Sequence, residues 1–124
     1  MRGLILCCAL VLLVTSGCAR EGYVDSAFPA MGGDPERGAQ LVRSFGCGSC
    51  HTIPGIRGAR GLVGPPLFFF SRRTYIAGQL PNTPDNLVRW IQDPQAIEPG
   101  TAMPTLGASE QQARDMAAYL YTLR

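Results

Sequence analysis

The most apolar stretch of the chain is its beginning. From Gly3 to Val14 no charged or strongly polar side chain interrupts a run of 12 residues. That is short of the roughly 20 needed to span a hydrocarbon core about 30 Å thick. Arg2 before the run and the small residues Thr15-Ser16-Gly17 after it give the layout of an export signal over 1–17. Residues 18–33 show no clear periodicity and bear Gly, Ala, Ser and Pro, which predicts a tether. From Asp34 the pattern becomes helical. Asp34 is a natural N-cap, Pro35 suits the first helical position, and Glu36 complements the dipole, so a helix is expected to about Phe45 with Gly46 as its stop. Residues 52–67 are dominated by Gly, Pro and Arg and read as loop, closed by the compact apolar run Leu67–Phe70. Asn82-Thr83-Pro84-Asp85 opens a second helix, with Thr83 as N-cap and Leu87, Val88 and Ile91 on its apolar side, ending before Pro94. After a loop through Pro99-Gly100, a last helix is expected from the N-cap Ser109 to about Leu123. Its buried stripe is Ala113, Met116, Ala117 and Leu120. No period-two alternation and no internal repeat is visible. The pattern therefore predicts one small all-α domain over 34–124.

Long loops are uncommon in a compact domain without a functional reason, and a domain of about 90 residues buries only a modest core of its own. A large apolar cofactor wrapped by the loops would answer both points. The cysteines sharpen this. Of five in the chain, Cys7 and Cys8 fall in the export signal. Cys18, behind small residues at the end of an apolar stretch, resembles the lipidated cysteine of bacterial lipoproteins. Acyl chains there would hold the protein at a membrane surface, each buried CH₂ contributing about 0.8 kcal/mol. Only Cys47 and Cys50 remain, too few for a disulfide framework.

Cys47-Gly48-Ser49-Cys50-His51 has the spacing of c-type haem attachment. Each thiol can add to one porphyrin vinyl, and the next residue, His51, then lies beneath the macrocycle with its imidazole aimed at the iron. Gly48 and Ser49 are small enough for the backbone to approach the ring. A thiol–disulfide motif would need a βαβ setting, and a zinc site would need two more ligands. His51 is the only histidine and no cysteine follows Cys50, so both lose ground. The lone histidine also means that any second axial ligand is of another type, and Met is the choice that raises the potential. Met1 lies in the signal, Met31 in the tether, and Met116 on the stripe of the last helix. Met103, in Pro99-Gly100-Thr101-Ala102-Met103-Pro104, sits in a turn-rich loop able to present a side chain to an open haem face.

With these residues the region from Asp34 to Arg124 resembles a class I cytochrome c. The resemblance implies the small cytochrome c fold, all-α, with about three to four helices and long loops around one covalently bound haem c. Gly38 resembles the small residue that lets the first helix cross the last, and Tyr119 its aromatic partner. Gly64-Pro65-Pro66-Leu67 resembles the loop whose proline carbonyl, here Pro65, accepts a hydrogen bond from the ligand histidine and fixes its ring. Arg72 and Thr101 match positions that bond the haem propionates, Trp90 matches an aromatic lining the Met side, and Met103 matches the Met ligand. Asn82 stands where many members carry a Trp, and Val42 where an aromatic is common.

There is no lysine; all 11 basic side chains are Arg. Between Arg37 and Asp85 no acid occurs, while Arg43, Arg57, Arg60, Arg72 and Arg73 do. The haem-attachment half is thus basic and the rest mildly acidic. Phe68–Phe70 are expected in the pocket wall and core, and Arg72-Arg73 either on propionates or in solvent. A basic rim at a haem edge would steer the chain onto an acidic redox protein. Arg scattered through Gly/Pro loops is a poor nucleic-acid signature. The expectation is a monomeric one-electron carrier, not an enzyme, lipid-anchored on the periplasmic side of a bacterial membrane and serving a terminal oxidase or another respiratory component. The alternative, an open-site haem enzyme or gas sensor, requires that Met103 leave the iron free.

Overall fold

The computed structural model describes residues 32–124. The signal, Cys18 and most of the tether lie outside the described residues. Four α-helices are described: α1 (Pro35–Ser44), α2 (Pro84–Gln92), α3 (Pro94–Ile97) and α4 (Glu110–Tyr121). Short 3₁₀ turns cover Cys47–Ser49 and Phe70–Arg72.

Every helix start is a side-chain cap followed by an N–H-saving residue or an acid. Asp34 accepts from the Glu36 and Arg37 N–H groups, and Thr83 accepts from Asn86 N–H. Ser109 and Gln112 form a reciprocal capping box. Proline stands at the first position of α1, α2 and α3, where its missing N–H costs nothing.

The frame is the crossing of α1 over α4. A Cβ at Gly38 would lie 2.0 Å from the Asp115 carbonyl oxygen, and one at Gly33 would lie 2.2 Å from that of Arg114. Both backbones therefore touch helix α4, and only glycine fits. Gly32 and Gly33, expected in the tether, are docked there; the Gln111 side chain donates to Gly32 O at 2.9 Å. Asp115 is 3 % exposed, a buried charge that the apolar stripe of α4 did not anticipate. It is fully partnered, receiving Asp34 N–H at 2.8 Å, Arg37 Nε at 3.0 Å and Nη2 at 3.1 Å, and Gln111 Nε2 at 3.1 Å. Burial alone would raise this carboxyl. The hydrogen bonds from Arg37, Asp34 N–H and Gln111, together with the Arg37 charge, hold it below the ordinary aspartate range.

Two features escaped the sequence pattern. Tyr75–Ile76 and Leu80–Pro81 form a two-residue antiparallel ladder, with Ile76 opposite Leu80. Its turn puts Ala77 (φ 51°) and Gly78 (φ 73°) both in the left-handed region, and Gln79 N–H closes it on Ile76 O. Strands this short carry no readable alternation. Helix α3 is one turn long and was expected as loop, although Asp93-Pro94 has the same cap-plus-proline signature as the others.

The hydrophobic core gathers Val42 of α1, Leu87 and Ile91 of α2, and Met116 and Leu120 of α4. Asn82 ties the 70–73 turn to this frame. Its amide donates to Phe70 O and Arg73 O, and it accepts from the Tyr121 hydroxyl at 2.8 Å. Burial pushes the Tyr121 phenol up to about 12, so it remains a donor at any ordinary pH. Among the described residues no helix is long and apolar enough to cross a membrane.

Candidate functional site

Beneath the α1–α4 frame lies a cavity of about 590 Å³ that opens to solvent on one side. The Cys47–Ser49 turn begins it. Gly46 (φ 71°) reverses the chain after α1, and a helical turn follows in which Cys50 N–H and His51 N–H both reach Cys47 O. That turn brings Cys47, Cys50 and His51 to the same cavity. The glycine-rich loop behind it holds the motif by backbone contact. Gly61 N–H donates to Gly48 O at 3.0 Å and Gly64 N–H to Cys50 O at 2.8 Å. A Cβ at Gly61 would lie 2.4 Å from the Cys50 carbonyl carbon, and one at Gly64 would lie 2.3 Å from His51 Cε1. These glycines admit the motif rather than merely bending the chain.

His51 Nδ1 lies 2.7 Å from Pro65 O. A carbonyl can only accept, so Nδ1 carries the proton and donates. The Nε2 lone pair is left free as a metal donor. Both thiols are free and half-buried. Burial raises the Cys47 thiol above its ordinary value; its own backbone amide opposes this, and the Cys50 sulfur adds to it.

The other expected residues distribute unevenly. Trp90, Thr101 and Met103 line the same cavity as the motif, and Pro65 borders it. Arg72 does not: it is exposed, with its guanidinium 5.6 Å from the Phe69 ring centroid. Its neighbour Arg73 lines the cavity, over Phe70 and bonded through Nη2 to Pro66 O. Of the three phenylalanines only Phe70 is buried. Phe68 and Phe69 are exposed, because Phe69 takes a left-handed conformation (φ 54°) that turns the chain there. The sequence reading missed Gln95, whose amide holds the Met103 loop. Recognising Asp93-Pro94 as a helix start would have pointed to it.

The donor set fits a haem. Two thiols separated by one helical turn, an imidazole whose free nitrogen is fixed by Pro65, and a thioether share one largely apolar cavity. Gly64 provides a cradle against the His51 ring that any Cβ would fill. Among the described residues no group of three or more His, Cys, Asp and Glu could hold a bare metal ion. A small helical fold with these groups around one cavity defines a c-type haem protein. The chain belongs to the cytochrome c family: the Cytochrome c family model matches residues 35–124. It is 37 % identical over 105 residues to cytochrome c2 of Rhodopila globiformis, covering 74 % of this chain and 95 % of that protein. It is also 36 % identical over 89 residues to cytochrome c oxidase subunit 2 of Alkalihalophilus pseudofirmus, covering 71 % of this chain and 25 % of the relative. For the same subunit of Bacillus subtilis the identity is 33 % over 84 residues, covering 63 % and 24 %. The chain thus spans about a quarter of the length of these oxidase subunits. It is a class I c-type cytochrome, a family whose members bind haem c covalently.

Proposed function

We propose that Cys47 and Cys50 would carry the thioether bonds to a haem, that His51 and Met103 would hold its iron, and that with both ligands in place the protein is a one-electron carrier. The observation that supports this best is the convergence on one cavity of both thiols, the only histidine of the chain and a loop methionine. Bound there, the haem supplies reversible one-electron chemistry. The protein's share is orientation and exclusion. Pro65 fixes the His51 ring, Trp90 and Phe70 keep water from the cavity, and Met103 occupies the position a substrate or gas would need. In this reading the Thr101 hydroxyl would donate a hydrogen bond to a propionate, and Arg73, in place of the expected Arg72, would neutralise propionate charge.

The proposed partners are acidic redox proteins at a respiratory membrane, a terminal oxidase among them. Exposed Val63 and Tyr75 border the cavity mouth, and Arg73 carries charge there, which supports docking by an apolar contact with basic residues beside it. Relatives named as oxidase subunits support the oxidase. Cys18, lipidated, would hold the carrier on the periplasmic side. The intact mass of the exported protein tests both covalent attachments: one haem and acyl chains are expected, and a mass lacking either removes that part of the reading. The ligation is tested by CO. The reduced wild type should resist CO, and Met103→Ala should bind it at least 100-fold faster. Rapid CO binding by the wild type would favour an open-site enzyme or sensor instead.

A further inference from the structure

Met103 lies in a segment without regular structure between α3 and α4, so something other than a helix or a sheet must hold it in place. One side chain of the structure bonds this segment three times. Gln95, half-buried in the single turn of α3, donates through Nε2 to Thr101 O at 2.8 Å and to Met103 O at 2.9 Å. Its Oε1 accepts Gly100 N–H at 3.1 Å. Two acceptors and one donor around one amide fix its orientation, since a flipped group would face carbonyls with its oxygen. Gly100 stands at φ 85°, so the loop turns at the point that Gln95 grips. Asp93, the cap of the same turn, accepts from the Thr105 hydroxyl at 3.1 Å and so ties down the far side of Met103. Thr101 Oγ1 is the only other side-chain atom bonded to this stretch among the described residues, at 3.5 Å from Met103 N.

We infer that Gln95 is the positioning residue of the axial methionine. By clamping the backbone on either side of residue 102 it presents the Met103 thioether to the iron already ordered, which makes the sulfur hard to displace. A thioether is a neutral, weak ligand. Its hold against a competing small ligand depends on how little the loop gains by letting go, which is pre-organisation rather than bond strength. The inference rests on the reading of Met103 as a ligand.

The test is imidazole binding to the oxidised holoprotein, followed by the loss of the weak far-red absorption band of iron–thioether ligation. Gln95→Ala removes the clamp. Gln95→Glu keeps its shape and the acceptor for Gly100 but loses both donors and faces two carbonyls with a carboxylate. Both variants should retain the far-red band in buffer and bind imidazole about tenfold more tightly than wild type, equivalent to about 1.4 kcal/mol. If Gln95→Ala fails to accumulate, the isosteric Glu variant decides. Unchanged imidazole affinity in a variant whose unfolding midpoint has dropped would make Gln95 a structural residue only and overturn the inference. A wild type without the far-red band, indistinguishable from Met103→Ala, would instead overturn the ligand assignment beneath it.

Discussion

At the scale of single residues, the site hangs on individual contacts: Pro65 O accepts from His51 Nδ1, and the Gln95 amide spans Thr101 O and Met103 O. Cys47, Cys50 and His51 announce themselves by spacing. Arg73 and Gln95 do not, because their roles depend on which way a turn throws a side chain. Phe69 shows the same limit. Nothing in Phe-Phe-Phe reveals that the middle residue is left-handed, a conformation that costs a bulky side chain about 1–3 kcal/mol. Phe69 is 57 % exposed, so it recovers little by burial. Phe69→Gly should therefore raise unfolding free energy by about 0.5–1 kcal/mol after the extra chain entropy of glycine is subtracted; denaturant titration checks it, and a loss of stability would mean that the Arg72–Phe69 contact outweighs the strain. Asp115 gives a pH prediction. Its folded value is depressed, so its contribution is fully present above the unfolded value and is lost as pH falls through the folded one. Stability should start to decline near pH 5, about one unit above the ordinary aspartate value of about 3.9, and continue to decline below it. Asp115→Asn should be less stable at pH 7 yet show a flatter acid limb in denaturation curves measured across that range.

At the scale of elements, caps and periodicity located α1, α2 and α4 within a residue or two, since Asp34, Thr83 and Ser109 each act as their type dictates. The one-turn α3 and the two-residue strands fell below what periodicity can resolve. The α1–α4 crossing was legible only through the family resemblance of Gly38; its physical reason is the approach of the Asp115 carbonyl to within 2.0 Å of where a Cβ would sit. Gly38→Ala normally favours a helix. Here it must push two backbones apart, at a cost of about 2–3 kcal/mol. A domain of this size would lose roughly 10–20 °C of melting temperature, which thermal unfolding of the holoprotein measures; an unchanged melting temperature would mean that the crossing is looser than described.

For the whole molecule, the sequence predicted that the protein core is completed by something other than protein, and the cavity lined by the motif bears this out. What the sequence could not show is the surface: exposed Leu62 (88 %) and Val63 (71 %) beside a basic, acid-free half of the chain. If that face docks an acidic partner, the association rate should fall severalfold between 50 and 200 mM salt, as stopped-flow electron transfer to the purified partner would register; a flat salt dependence would reassign docking to the apolar contact alone. Independent of docking is the ligand role proposed for Met103, which with His51 would leave the iron no open position. Proton NMR of the reduced holoprotein tests it most directly. A three-proton methionine methyl signal, shifted far upfield by the haem ring current, is expected in the wild type and should be abolished in Met103→Ala. Absence of that signal in the wild type, or its survival in Met103→Ala, would mean that Met103 is not the ligand.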